Sequence, residues 1–307
     1  MALFSVLLIK IIPLYILIFI GFIANKFFNV NKESISRLII YIFGPAIVFL
    51  GTIQARDNHE LFLIPVIFFI VGAALCLLNY LVARKSWHDG TEKVLTFMAG
   101  TGNVGYFGLP VCLAIIGDLA LPVVAMVSLG LMIYENTLAF YIVARATHSH
   151  KSAISRVFKL PHLYVFAVAL IINFLNITPS KEVFDFLAMF KTVYFTLGMM
   201  IIGLGLAEIK ASHLDWKFAT MALFNKFIIW PAVFLGLIYL DNNYFHIFDK
   251  TMHAVLLIEA LVPLSVSSVI YATELKVQPQ KVALVVAIST LIALFYIPLT
   301  VSLFLNK

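Results

Sequence analysis

The 307 residues are 63% apolar and only 12% charged, against roughly 45–50% and about 25% in soluble domains. That excludes a soluble globular enzyme, a disordered chain and a disulfide scaffold, and the length fits ten apolar spans of roughly 20 residues with about ten per connection. The net charge of +6 then reads as loop cations that orient an all-α polytopic membrane protein, not as affinity for nucleic acid.

Apolar runs separated by polar clusters predict ten transmembrane helices. The first five cover residues 3–24, 38–53, 61–83, 94–116 and 121–144; the second five cover 160–177, 183–207, 218–240, 252–273 and 282–305. The first run lacks a basic n-region and is too long for an h-region, so it reads as a span and not as a cleaved signal. No segment shows the ten-residue alternation of a membrane barrel strand. Cys76 and Cys112 fall inside apolar runs with no Cys or His at ligand spacing, so they read as small hydrophobes.

Loop charges test this partition. One set of alternate loops holds Lys26, Lys32, Arg37, Arg84, Lys85, Lys93, Arg145, Lys151, Arg156, Lys159, Lys210, Lys217, Lys276 and Lys281; the other holds Arg56, Lys181, Lys250 and Lys307. A bias of 14 against 4 places both termini outside the cytoplasm. The longest connection divides the chain into repeats at 1–146 and 160–307, joined by a cytoplasmic linker at 147–159. Five helices per repeat invert the second relative to the first, as in inverted-repeat transporters. The linker's His148 and His150, with nearby His162, read as solvated.

Two spans are built to break. The fourth carries Gly100-Thr101-Gly102-Asn103-Val104-Gly105-Tyr106-Phe107-Gly108-Leu109-Pro110. Each interior Gly costs about 1 kcal/mol and Pro about 3 kcal/mol relative to Ala. Such backbone survives at membrane depth only when packed in protein or lining a watery cavity. The ninth span, at the matching place in the second repeat, carries Glu259-Ala260-Leu261-Val262-Pro263-Leu264-Ser265-Val266-Ser267-Ser268. Paired interrupted helices point to a midplane site, whose half-helix N-termini suit an anion and whose C-termini suit a cation. Close packing through small residues is the other reading of these glycines.

The run Gly102-Asn103-Val104-Gly105-Tyr106-Phe107-Gly108-Leu109-Pro110 resembles the G-N-x-G-(two residues)-G-L-P signature of the auxin efflux carrier family, which includes bacterial members and the plant PIN proteins. Gly44-Pro45, Lys226 with Pro231, Pro263, and Ser289-Thr290-Leu291 with Pro298 fall in the family's order along the whole chain. The resemblance implies two inverted five-helix repeats whose fourth and ninth helices cross at their breaks. It implies a scaffold of helices 1, 2, 6 and 7, a transport domain of helices 3–5 and 8–10, and elevator-type alternating access. It also implies a small organic anion as substrate, auxin-like or malonate/malate-like, a homodimer, and a bacterial inner membrane. The plant members' long loop is only about fifteen residues here, and serines follow Pro263 where many relatives place an asparagine.

The candidate substrate-binding residues are Asn103, Gly102, Gly105, Tyr106, Pro110, Pro263, Ser265, Ser267 and Ser268. The Asn103 amide both donates and accepts, so it can bridge a carboxylate and a freed carbonyl. Tyr106 either packs or stacks on substrate. Ionisable residues inside spans are functional candidates by default. Glu259, one turn before Pro263, is a coupling candidate for a proton or sodium; Glu135 with Asn136, and Lys226, join it. The alternative for Glu259 is a buried, neutral or Lys-paired carboxyl. Lys10 and Lys191 lie roughly 10–12 Å from the outer face at about 1.5 Å per residue and are expected to snorkel outward.

No P-loop, nucleophile elbow or zinc helix occurs, so no cofactor, metal or nucleotide is expected. The leading reading is a secondary transporter of a small organic anion. The alternatives are a membrane-embedded sensor on the same fold, a sodium-coupled carboxylate symporter, and a membrane enzyme using Glu135, Asn103 and Glu259.

Overall fold

The computed structural model describes residues 2–54, 60–208 and 215–304. Its longer helices are α1 (Ala2–Phe28), α2 (Lys32–Leu38), α3 (Gly44–Gln54), α4 (Leu63–Ala83), α5 (Thr91–Ala99), α6 (Leu109–Ile115), α7 (Leu121–Tyr134) and α8 (Phe140–Ala144). The second half adds α9 (His150–Phe158), α10 (Pro161–Phe174), α11 (Lys181–Ala207), α12 (Trp216–Phe224), α13 (Trp230–Leu240), α14 (Lys250–Leu261), α15 (Val266–Glu274) and α16 (Pro279–Phe304). No strand occurs among the described residues.

Six helical runs are long and apolar enough to cross a membrane: residues 32–50, 60–83, 122–144, 181–207, 216–245 and 279–300. Two bent pairs raise the number to eight, α9 with α10 at 43° and α14 with α15 at 48°. The protein is therefore all-α with six to eight candidate spans, where composition alone predicts ten. The difference has local causes. Helix α1 enters only as the shorter apolar segment Ile12–Phe28 among the described residues and is not one of the six, and the fourth predicted span is interrupted between α5 and Val104. Arg56, Lys210 and Lys307, three of the cations used for orientation, lie outside the described residues.

Helices are joined end to end by π-helical turns at Ile39–Phe43, Glu135–Ala139 and Asn225–Ile229, and two more such turns open α6 at Val104–Gly108 and close α13 at Asp241–Phe245. In three of the five, a proline follows two residues beyond the turn: Pro45, Pro110 and Pro231. A proline ring clashes with the carbonyl four residues back and supplies no N–H. A turn widened by one residue relieves that clash without ending the helix.

The connection at 147–159, read as linker, is partly helical. Ser149 caps α9, accepting from the Ser152 amide at 3.3 Å, and Ala153 and Val157 are buried. His162, read as solvated, is instead buried against Gly44, where a Cβ would stand 2.4 Å from its Nε2. Helix α1 crosses α11 at backbone distance. A Cβ on Gly21 would lie 2.0 Å from the Met200 carbonyl oxygen, and one on Gly203 1.8 Å from that of Ile18. Small residues permit such crossings in a bilayer, where apolar burial drives no association.

Two apolar clusters form the core. One contains Ala24, Ala83, Ala144 and Val282 beside the basic loops; the other contains Leu61, Ala120, Phe234 and Ile297. The chain passes from one to the other at each break, and in opposite senses. Met98 lies in the first and Val104 in the second; Val262 lies in the second and Leu264 in the first.

Candidate functional site

The two breaks meet. The Asn103 amide donates to the Pro263 carbonyl at 2.8 Å. Val262 is extended, as a residue before proline must be, which frees the end of α14 and brings the Pro263 carbonyl to Asn103. The Leu264 amide finds its partner in Ser289 Oγ at 3.1 Å, and Ser265 caps α15 by accepting from the Ser267 amide at 3.2 Å. On the other strand of the crossing, the Asn103 carbonyl accepts from the amides of Phe107 and Gly108 at 3.2 and 3.1 Å, starting the second half of that helix.

Glu135, in the π-helical turn after α7, ties the breaks a second time. Its Oε1 accepts from Thr101 Oγ1 in one break and from Ser265 Oγ, at 3.0 Å, in the other. Its neighbour Asn136 faces elsewhere, donating to the Met132 carbonyl at 2.7 Å and accepting from the Tyr271 hydroxyl. Trp230 anchors the end of α5, its indole N–H donating to the Ala99 carbonyl at 2.8 Å.

A cavity of about 120 Å³ opens beside this junction. Gly102, Asn103, Gly105, Glu135, Ser265 and Ser267 line it, with Ser128 of α7, Lys191, Tyr194 and Phe195 of α11, and apolar side chains of α3 and α7. Both side-chain polar atoms of Asn103 are buried and lack a hydrogen-bond partner among the described residues. A buried, unsatisfied amide costs about 1–3 kcal/mol, and this one lies at the cavity wall.

Lys226 and Glu259 lie off this cavity. Lys226 is buried with its Nζ 4.4 Å from the centroid of the Trp230 ring, and Glu259 Oε1 accepts from Cys112 Sγ at 3.4 Å. The two attract one another electrostatically. No ion pair within 4 Å joins them among the described residues, and Lys226 Nζ and Glu259 Oε2 both lack a hydrogen-bond partner there.

The glycines of the break divide between these two surroundings. A Cβ on Gly102 would stand 2.3 Å from Lys226 Nζ, and one on Gly108 2.0 Å from Glu259 Oε2. One on Gly105 would only touch the Phe195 ring at 3.4 Å. Gly100 is required by backbone approach instead, with the Gly72 carbonyl 2.5 Å from its would-be Cβ.

Residues 6–157, which include the first break, match a family described as membrane transport proteins. An uncharacterized transporter of Methanocaldococcus jannaschii is 26% identical over 305 residues, covering 95% of this chain and 96% of that protein. Together these matches support an auxin efflux carrier family transporter. The chain is an integral membrane transporter, and a transported small molecule is its substrate. The relative's alignment carries the likeness through the second half of the carrier, including the α14–α15 break.

Of the residues singled out in the sequence, the carrier brings together Gly102, Asn103, Gly105, Glu135, Ser265 and Ser267 at one cavity. Pro263 contributes its carbonyl. Ser268 is buried and its hydroxyl unpartnered, away from that cavity. The side chains of Tyr106 and Pro110 lie outside the described residues, and Lys10 gains no side-chain placement for the same reason. Four residues are not singled out by the sequence in these roles. Thr101 lies between Gly100 and Gly102 in the first break, where a hydroxyl between two glycines is a hydrogen-bonding signal. Lys191, whose depth predicts outward snorkelling, lines the cavity. Asn79 of α4 and Asn225 exchange amide hydrogen bonds at 3.1 and 2.5 Å, and a buried polar residue in each of two apolar runs was the available cue.

Proposed function

We propose that this carrier moves a small organic anion by alternating access, binding it in the cavity beside the α5–α6 and α14–α15 breaks. The observation that carries this reading is the pair of breaks joined at Asn103 and Pro263 beside a cavity. Freed backbone groups, the unsatisfied Asn103 amide and the N-terminal end of α15 give that cavity polar atoms at membrane depth, where water supplies none. The substrate-binding set is Gly102, Asn103, Gly105, Tyr106, Pro110, Pro263, Ser265, Ser267 and Ser268.

In this reading the chain has ten spans as two inverted five-helix repeats, with both termini outside the cytoplasm of a bacterial inner membrane. The α5–α6 segment counts as one span and α1 as another. Helices 1, 2, 6 and 7 form the scaffold, and the close crossing of α1 with α11 supports their grouping. The cavity has walls from α3 and α11 on one side and from the breaks and α7 on the other. A rigid movement of one group past the other would expose it to alternate faces, and a homodimer would anchor the scaffold.

Glu259, Lys226, Glu135 and Asn136 are the coupling set. The unpartnered atoms of Lys226 and Glu259 favour a proton or sodium step there, since a buried charge pair left short of hydrogen bonds costs stability and persists in spans mainly where it has a task. Two measurements test the proposal. Purified protein should gain more thermal stability with an organic anion than with a neutral or cationic solute, by mass action; a shift with a neutral or cationic solute and none with any organic anion would overturn the substrate class. Uptake into proteoliposomes by Glu259→Gln should lose its dependence on pH or sodium; unchanged dependence on both would remove Glu259 from coupling.

A further inference from the structure

We propose that Lys191 supplies the counter-charge for the substrate carboxylate, and that this single cation makes the cavity selective for a monocarboxylate with an apolar body. The inference rests on the organic-anion reading above and sharpens it.

The N-terminal end of α15 suits an anion, but in this fold a carboxyl already stands there. Glu135 accepts from Ser265, the cap of that helix, and from Thr101 across the junction. An incoming carboxylate therefore meets a resident acidic group at the crossover, and the helix end alone is a poor source of attraction. Lys191 of α11 is the one cationic residue lining the cavity among the described residues. It makes no ion pair within 4 Å there, and its Nζ rests 5.8 Å from the centroid of the Phe195 ring. A four-carbon stem lets the ammonium swing from that ring to a bound carboxylate.

The remaining wall decides what else can enter. Leu50, Leu109, Val124 and Leu129 are apolar, and a second carboxylate placed among them would be buried without a partner. Placed toward the junction, it would face Glu135. The volume of about 120 Å³ compares with the roughly 150 Å³ apolar cavity that holds benzene, so the body is limited to a short chain or one ring. Because Lys191 lies on α11 and Asn103 in the break, one small ligand would bridge two helix groups that alternating access moves apart.

The test uses the purified full-length protein in lipid nanodiscs and three probes of one chain length: hexanoate, hexanamide and adipate. Dissociation constants come from ligand-dependent thermal stabilisation. Hexanoate should bind roughly tenfold or more tightly than adipate, as the loss of a charge-assisted contact or the burial of an unpaired charge predicts. Lys191→Gln should weaken hexanoate roughly tenfold or more while leaving hexanamide unchanged, and Lys191→Arg should restore hexanoate. Asn103→Ala should weaken both. If Lys191→Gln leaves hexanoate unchanged while Asn103→Ala weakens it, the cavity reading stands and the role of Lys191 is overturned. If adipate binds as tightly as hexanoate, the selectivity is overturned, a result that needs no variant to fold. If neither anion stabilises the protein, the organic-anion reading falls and takes this inference with it.

Discussion

Two buried carboxyl groups flank the same crossover in opposite circumstances. Glu135 receives two hydroxyl donors, one from each break, and borders the cavity. Glu259 receives only a weak thiol donor and keeps one oxygen unpartnered, and the Lys226 ammonium that attracts it rests on the Trp230 ring with no hydrogen-bond partner among the described residues. Both lie at membrane depth, so the difference is not one of solvent. The chain has given one carboxyl a fixed set of partners, which makes it a tie between half-helices. The other is left with one oxygen that has no hydrogen-bond partner among the described residues. Gly102 and Gly108 make room for the second arrangement, and Gly105 opens toward the first.

The largest effect should come from removing one of the two buried charges. Lys226 and Glu259 sense one another without ion-pair contact, so Lys226→Met should cost up to about 3 kcal/mol in equilibrium unfolding, below the about 3–5 kcal/mol of breaking a close buried pair. Adding Glu259→Gln should recover part of it. Additive losses in the double variant would mean that the two side chains do not sense one another, and the contrast with Glu135 would lose its basis.

Next in size are the glycines. Gly108→Ala forces a Cβ to 2.0 Å from Glu259 Oε2, and overpacking of this kind costs about 1–3 kcal/mol. Gly105→Ala meets only the Phe195 ring at 3.4 Å and should change stability by less than about 1 kcal/mol, since alanine also favours helix. It should instead reduce ligand affinity by filling the cavity. Equal stability losses at the two positions would show that the glycines serve helix packing in general.

Thr101→Val should cost about 1–2 kcal/mol by deleting one donor to Glu135. Ser265→Ala should cost a similar amount, since it removes a donor and a helix cap together. The two share one acceptor oxygen, so the double variant should depart from additivity.

The breaks are legible in the sequence for identifiable reasons. Glycine and proline in apolar runs mark them because their cost is local to the residue, which singles out Asn103, Pro263 and Ser265, while a carboxyl inside an apolar run singles out Glu135. What could not be read was direction. Lys191 lies at a depth compatible with snorkelling, and its facing depends on the rotation of α11 about its own axis. An apolar helix in a bilayer has no polar stripe to reveal that rotation. The same ambiguity hid His162, which turns into the α3–α10 contact against Gly44, and the Asn79–Asn225 pair, whose partners are 146 residues apart.

The smallest expected effect comes from a carboxylate with neither a sealed site nor a tie across the breaks. Asp215 caps α12 outside the spans, accepting from the Phe218 amide at 3.0 Å and the Trp87 indole at 3.0 Å, with Lys281 Nζ at 3.5 Å. Burial works to raise its pKa, but the Phe218 amide, the Trp87 indole and the Lys281 charge outweigh it and hold the group below the usual carboxylate range. A depressed folded-state pKa gives stability that is present above the unfolded value near about 3.9 and is lost as pH falls through the folded value. Asparagine caps a helix as well as aspartate, so Asp215→Asn removes the charge and keeps the geometry. The loss at pH 7 should be no more than about 0.5 kcal/mol, as for solvent-screened pairs. Thermal unfolding of both proteins should show a small difference at neutral pH that closes below about pH 3–4. A difference that persists in acid would place the contribution in the hydrogen-bond geometry and not in the charge. In that case solvent-screened charge at this end of the carrier adds nothing to stability, and electrostatic tuning is confined to the two carboxyls at the crossover.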